Sequence, residues 1–111
     1  YVPQLLADET IATRPELVER VRALVETNEP VGLAAILRGM AMRAGAEDIA
    51  GDLAIPVVVV AGAGDRFSSV GEAREVARAW PAGRRGGGER SGHLPMLEEP
   101  ELTSAVLLGE A

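Results

Sequence analysis

Ile55-Pro56-Val57-Val58-Val59-Val60-Ala61-Gly62-Ala63-Gly64-Asp65-Arg66 decides the fold. Four consecutive β-branched residues without polar alternation predict a strand covered on both faces, the pattern of a parallel sheet. Pro56 introduces it, and Gly62-Ala63-Gly64-Asp65 ends it in a sharp turn. Ser69 and Glu72 then have the spacing of a capping box. Ala73, Val76, Ala77 and Trp80 follow at helical intervals, and Pro81 stops the helix. A strand, a turn and an amphipathic helix open a β-α-β unit.

The second strand of that unit is due at residues 82–90, where the chain reads Ala-Gly-Arg-Arg-Gly-Gly-Gly-Glu-Arg. This does not read as a strand, because glycines offer no side chains to pack. Glycine codons of the form GGT-GGT-GGN, read one base over, contain GTG-GTG, valine-valine. A local shift of reading frame in the gene would therefore account for the missing apolar residues. Residues 91–98 read as a loop. Pro100 to Leu108 reads as a short terminal helix, with Leu102, Ala105, Val106 and Leu108 available for burial.

Upstream of the strand the periodicity is helical. Thr13-Arg14-Pro15-Glu16 reads as a capping box, with proline tolerated in the first turn. Leu17, Val18, Val21, Leu24 and Val25 form one stripe after it. Asn28-Glu29-Pro30 breaks that helix and opens another, whose apolar face is Leu33, Ile36, Leu37 and Met40. Gly45 is its expected stop. The two helices could form a cap or a packed hairpin. Met40 and Met42 read as packing residues. Residues 1–12 are mixed and predict no element.

Composition narrows the function. One domain at most fits in 111 residues, and 47% hydrophobic content suits a globular core. The net charge is −6, all eleven positive charges are arginines, and no basic cluster exceeds Arg84-Arg85, so nucleic acid is excluded as a partner. Cysteine is absent and histidine occurs once, which removes disulfides, thiolate metal sites and histidine-rich metal sites. No cofactor or metal is implied. Gly62-Ala63-Gly64 lacks the third glycine of a dinucleotide loop. No apolar run approaches the roughly 20 residues of a membrane span. With no signal peptide visible, the expected location is cytoplasmic. The chain starts at Tyr1, so a processed product or a fragment is expected.

The single histidine, His93, lies 28 residues after Asp65 in Ser91-Gly92-His93-Leu94-Pro95-Met96-Leu97-Glu98-Glu99-Pro100-Glu101. Taken alone, Asp65 also reads as a turn former and His93 as a loop histidine. Together they have the character of an acid that orients a histidine base. The acid stands beyond the carboxyl end of a buried strand, where α/β sheets place their chemistry.

These two stretches, with a helix between them and a helix pair before, resemble the α/β-hydrolase superfamily over roughly residues 13–109. They look like that family's acid-bearing strand end and its histidine loop, in the family's order of serine, acid, histidine. The resemblance implies an α/β fold: parallel strands with flanking helices, the C-terminal part of the hydrolase core over residues 51–111. Residues 1–50 would be a cap-like helical segment, similar to that of small esterases and enol-lactonases. It implies hydrolysis of an ester, lactone or similar acyl substrate, with His93 as base and Asp65 orienting it. Glu98 matches a family position and is expected to stabilise the loop or cap the last helix.

Three features depart from the pattern. No glycine-x-serine-x-glycine elbow surrounds Ser68, Ser69, Ser91 or Ser104, and the oxyanion loop is missing too. The strand before His93 lacks apolar residues, and the last helix is short. The nucleophile is therefore expected from a partner, either the N-terminal half of the core or another copy of the chain. The competing readings are a catalytically silent interaction module and the same fold with haloalkane or peroxidase-type chemistry.

Overall fold

The computed structural model describes residues 2–110 of the chain. Helices α1 (Val2–Leu5), α2 (Asp8–Thr13), α3 (Pro15–Glu26), α4 (Pro30–Met42) and α5 (Glu47–Ala50) lead into strand β1 (Pro56–Gly62). Helix α6 (Val70–Arg78), strand β2 (Ala82–Gly88) and helices α7 (Pro95–Glu98) and α8 (Pro100–Leu107) complete the order. β1 and β2 form a parallel pair in unbroken register, from Pro56 opposite Ala82 to Gly62 opposite Gly88.

β2 corrects the sequence reading of residues 82–90. The glycine-rich segment is a strand because its backbone continues a ladder that β1 begins, and because its neighbours sit too close for side chains. A Cβ on Gly83 would fall on the Ala77 carbonyl of α6, and one on Gly86 would fall inside the Val106 side chain of α8. Alternate positions on a strand face opposite sides, so α6 and α8 cover opposite faces of the pair. Arg84 adds a tie, donating to the Val106 carbonyl at 2.6 Å.

β1 forms where the valine run predicts it, but Val57 to Val60 are half-buried rather than enclosed on both faces. β2 is its one pairing partner among the described residues, and two helices do not cover a whole strand. On α6, Ser69 accepts from the Glu72 N–H at 3.0 Å, as a cap should. Ala73 and Ala77 are buried, whereas Val76 is exposed and Trp80 half-buried. On α8, Val106 is buried, and Leu108, just past the end of the helix, is exposed.

The helices upstream differ more from expectation. Thr13 does not cap α3. It closes α2 instead, its hydroxyl donating to the Glu9 carbonyl at 2.7 Å, and Arg14 takes the cap position without a capping bond from its side chain. Leu17 and Val21 of α3 are buried, Val18 and Val25 pack against the cluster of Val21 and Leu6, and Leu24 faces out. α4 buries none of its residues; Ile36, Leu37 and Met40 are all exposed. It ends at Met42, before Gly45, with Arg43 already extended.

The mixed N-terminal stretch holds a fully buried side chain. Leu6 is fully enclosed and packs with Val21, Leu5, Ile11, Val18 and Val25, and with Leu94 and Leu97 from beside the histidine. Enclosing one such leucine stabilises by about 1.5–3 kcal/mol. This small core therefore lies behind the histidine loop and supports it.

Candidate active site

Register decides where the two candidate side chains meet. Gly62 and Gly88 stand opposite each other at the carboxyl end of the pair, so the loops that follow them start side by side. The Ala63 N–H donates to the Gly88 carbonyl at 2.9 Å, and the Gly64 N–H donates to the Ser91 carbonyl at 2.9 Å. These bonds lace the acid loop to the histidine loop. Gly62 is required at this seam, because a Cβ there would fall on the carbonyls of Ser91 and Gly92.

Asp65 and His93 are brought together. His93 Nδ1 lies 3.0 Å from Asp65 Oδ2. The other carboxylate oxygen, Oδ1, accepts from the N–H groups of Phe67 at 2.8 Å and Ser68 at 3.2 Å. The Asp65 side chain is only 7% exposed, while that of His93 is 42% exposed. Burial pushes the Asp65 pKa upward most strongly. The hydrogen bonds from His93, Phe67 and Ser68 together outweigh it, and the carboxyl is held below its ordinary value. An ionised carboxylate can only accept, so Nδ1 carries the proton in the neutral ring. The Nε2 lone pair is thereby left free for a substrate or a nucleophile. Phe67 flanks the ring, with centroids 4.9 Å apart and planes tilted by 56°.

The pair opens onto a cleft of about 240 Å³. Val59, Val60 and Gly62 of β1 line it with Ser68, Asp65 and His93. Among the described residues no group of three or more acidic, histidine or cysteine side chains is placed to hold a metal ion. No helix among them is long and apolar enough to cross a membrane.

Sequence reading missed all but one of the supports beneath the histidine. His93 donates its backbone N–H to the Leu5 carbonyl at 3.0 Å, although residues 1–12 predicted nothing. Glu98 is buried and accepts from the N–H groups of Gly92 and Ala7, each at 2.7 Å. It braces the loop, as expected, and leaves the last helix uncapped by any side chain. Two surface ion pairs, Arg66 with Asp8 and Arg90 with Glu9, tie α2 to both loops. The pattern of residues 1–12 gives no local signal for these long-range contacts.

No family model matches the chain, and no curated protein matches it. Solved structures do. A thermophilic esterase from Thermogutta terrifontis, solved with malate bound, superimposes with a TM-score of 0.89 at 30% identity, over 97% of this chain and 40% of that one. An enzyme described as degrading N-acyl homoserine lactones superimposes with a TM-score of 0.76 at 20% identity, over 99% of this chain and 44% of that one. The chain thus spans less than half the length of the structures it matches.

Proposed function

We propose that this chain, which has the fold of the C-terminal portion of an α/β hydrolase, supplies the acid–base half of an acyl hydrolase. Its substrate would be an ester, a lactone or a similar acyl compound. The observation that carries the reading is the 3.0 Å contact between His93 Nδ1 and Asp65 Oδ2 at the mouth of a cleft. The names of the two matched structures, an esterase and a lactone-degrading enzyme, point to the same class of substrate.

The chemistry follows from the tautomer. His93 Nε2 would take the proton of a serine hydroxyl as the serine oxygen attacks the substrate carbonyl. The same proton, returned from Nε2 to the leaving oxygen, lets the ester C–O bond break and leaves an acyl-serine. Water then attacks that acyl group, again giving its proton to Nε2, and serine is regenerated by receiving it. At each stage Asp65 stabilises the imidazolium without itself taking the proton. The serine and the oxyanion donors would come from a polypeptide segment outside these 111 residues, in a longer chain or a partner. The cleft lined by Val59, Val60 and His93 supports this reading, as it offers such a segment room beside the ring.

The test is hydrolysis of a chromogenic short-chain ester by the protein that unites this chain with a nucleophile-bearing segment. His93→Ala is expected to abolish the activity. Retention of full activity by that variant would remove the assignment.

A further inference from the structure

We propose that Glu98 is the positioning residue for His93: a carboxylate clamp that seats the histidine loop on the α1–α2 junction. The inference rests on the reading of His93 as the base.

Glu98 is 5% exposed, and among the described residues no cation touches its carboxylate. Each oxygen instead takes one backbone N–H, and the donors come from opposite ends of the chain. Oε1 accepts from Ala7 at 2.7 Å, 91 residues away, and Oε2 accepts from Gly92 at 2.7 Å. Both bonds are short, in the range of charge-assisted contacts. The Glu98 carbonyl is held in turn by Arg14, whose guanidinium donates to it at 2.8 Å.

The geometry gives the clamp a target. Gly92 immediately precedes the histidine, and the next N–H, that of His93 itself, is taken by the Leu5 carbonyl at 3.0 Å. Two consecutive amides of the loop are therefore fixed by the segment Leu5–Ala7, one directly and one through Glu98. Fully buried Leu6 anchors that segment. The approach is so close that a Cβ on Gly92 would stand 2.8 Å from the Ala7 nitrogen. The division of labour is then clear. Asp65 sets the tautomer and plane of the ring, while Glu98 sets where the ring is carried.

A carboxylate is the side chain this site demands. Both facing groups are donors, and glutamine would turn its own NH2 toward one of them. Glu98→Gln therefore keeps the volume and breaks one of the two bonds. Because His93 is the only histidine, nitrogen NMR of its ring reads one residue without ambiguity. The measurement is made at a pH well above the ordinary imidazole value of ~6.5. The unaltered chain is expected to hold the Nδ1–H tautomer, and Glu98→Gln to relax it toward the mixture of an unconstrained ring. In the assembled hydrolase the same variant is expected to lower kcat by up to about 100-fold with KM nearly unchanged.

Asp65→Asn separates the two claims. If it disturbs the tautomer and Glu98→Gln does not, the clamp is wrong and the acid–histidine pair stands. If neither variant disturbs it, the pair reading falls as well. A measurement on the unaltered chain covers the case in which Glu98→Gln fails to fold. The Gly92 and Ala7 amides are expected to exchange with solvent at least on the order of 100-fold more slowly than open amides. Exchange at the open rate overturns the clamp.

Discussion

β1 and β2 pair residue for residue, yet one carries Val57-Val58-Val59-Val60 and the other Gly83, Gly86, Gly87 and Gly88. The first strand is written in side chains. The second exists because of what surrounds it. Each strand glycine sacrifices about 0.5–1 kcal/mol relative to alanine, and β2 recovers this through the ladder to β1 and the close approach of α6 and α8. Packing decides which faces can carry a side chain, and strand propensity mostly reports that fit. Despite the contrast, the two strands play equivalent parts, since each delivers one half of the Asp65–His93 pair from its carboxyl end.

The largest effect tests that equivalence. If the two strand ends build one device, as the proposed function requires, Asp65→Asn should cost nearly as much activity as His93→Ala in the proposed hydrolase assembly, on the order of 10⁴-fold in kcat. The double variant should be little worse than either single one, since groups acting as a unit are not additive. Steady-state ester hydrolysis by the three variants checks this. Additive losses would mean that the loops act independently.

That pairing is legible because its signals are local. A valine run, a Gly-x-Gly-Asp turn and a lone histidine after glycine each read within a few residues of themselves. β2 is not legible, because its strand character lies in hydrogen bonds to residues 26 positions earlier. Thr13 misleads for a related reason. Its spacing to Glu16 fits a cap, but Thr13 is the last residue of α2 and its hydroxyl already donates to the Glu9 carbonyl. Glu98 can be seen as a support, yet its partner Ala7 lies in a stretch with no periodicity at all. The face of α4 is readable from its pattern and is left uncovered, since a pattern names an apolar face without supplying what it packs against.

Next in size is a substitution that gives β2 what it lacks. Gly87→Val would place a side chain on the Ala61 carbonyl, which belongs to the backbone of the partner strand and cannot swing aside. The cost should be about 1–3 kcal/mol or somewhat more, measured as a lowered urea midpoint at unchanged slope. A neutral result would show that β2 tolerates side chains and that its glycines are incidental. The converse change on β1 should be milder. Val59→Ala removes two methyl groups from a half-buried position, with an expected loss of at most about 1 kcal/mol. A larger loss would mean that the valines are enclosed more fully than two helices and one strand allow.

The smallest effect separates the strand ends by charge. The Asp65 carboxyl is held below its ordinary value of 3.8, because the bonds from His93, Phe67 and Ser68 outweigh its burial. The folded chain therefore binds that proton less readily than the unfolded chain does. Its contribution to stability is full above the unfolded value near 3.8 and disappears as pH falls through the lower folded value. Asp65→Asn abolishes this titration, so the stability difference between the unaltered chain and the variant should shrink on acidification from pH ~5 to ~3. Urea unfolding at a series of pH values measures it. A difference that stays constant across that range would mean that the turn amides and His93 do not favour the charged carboxylate.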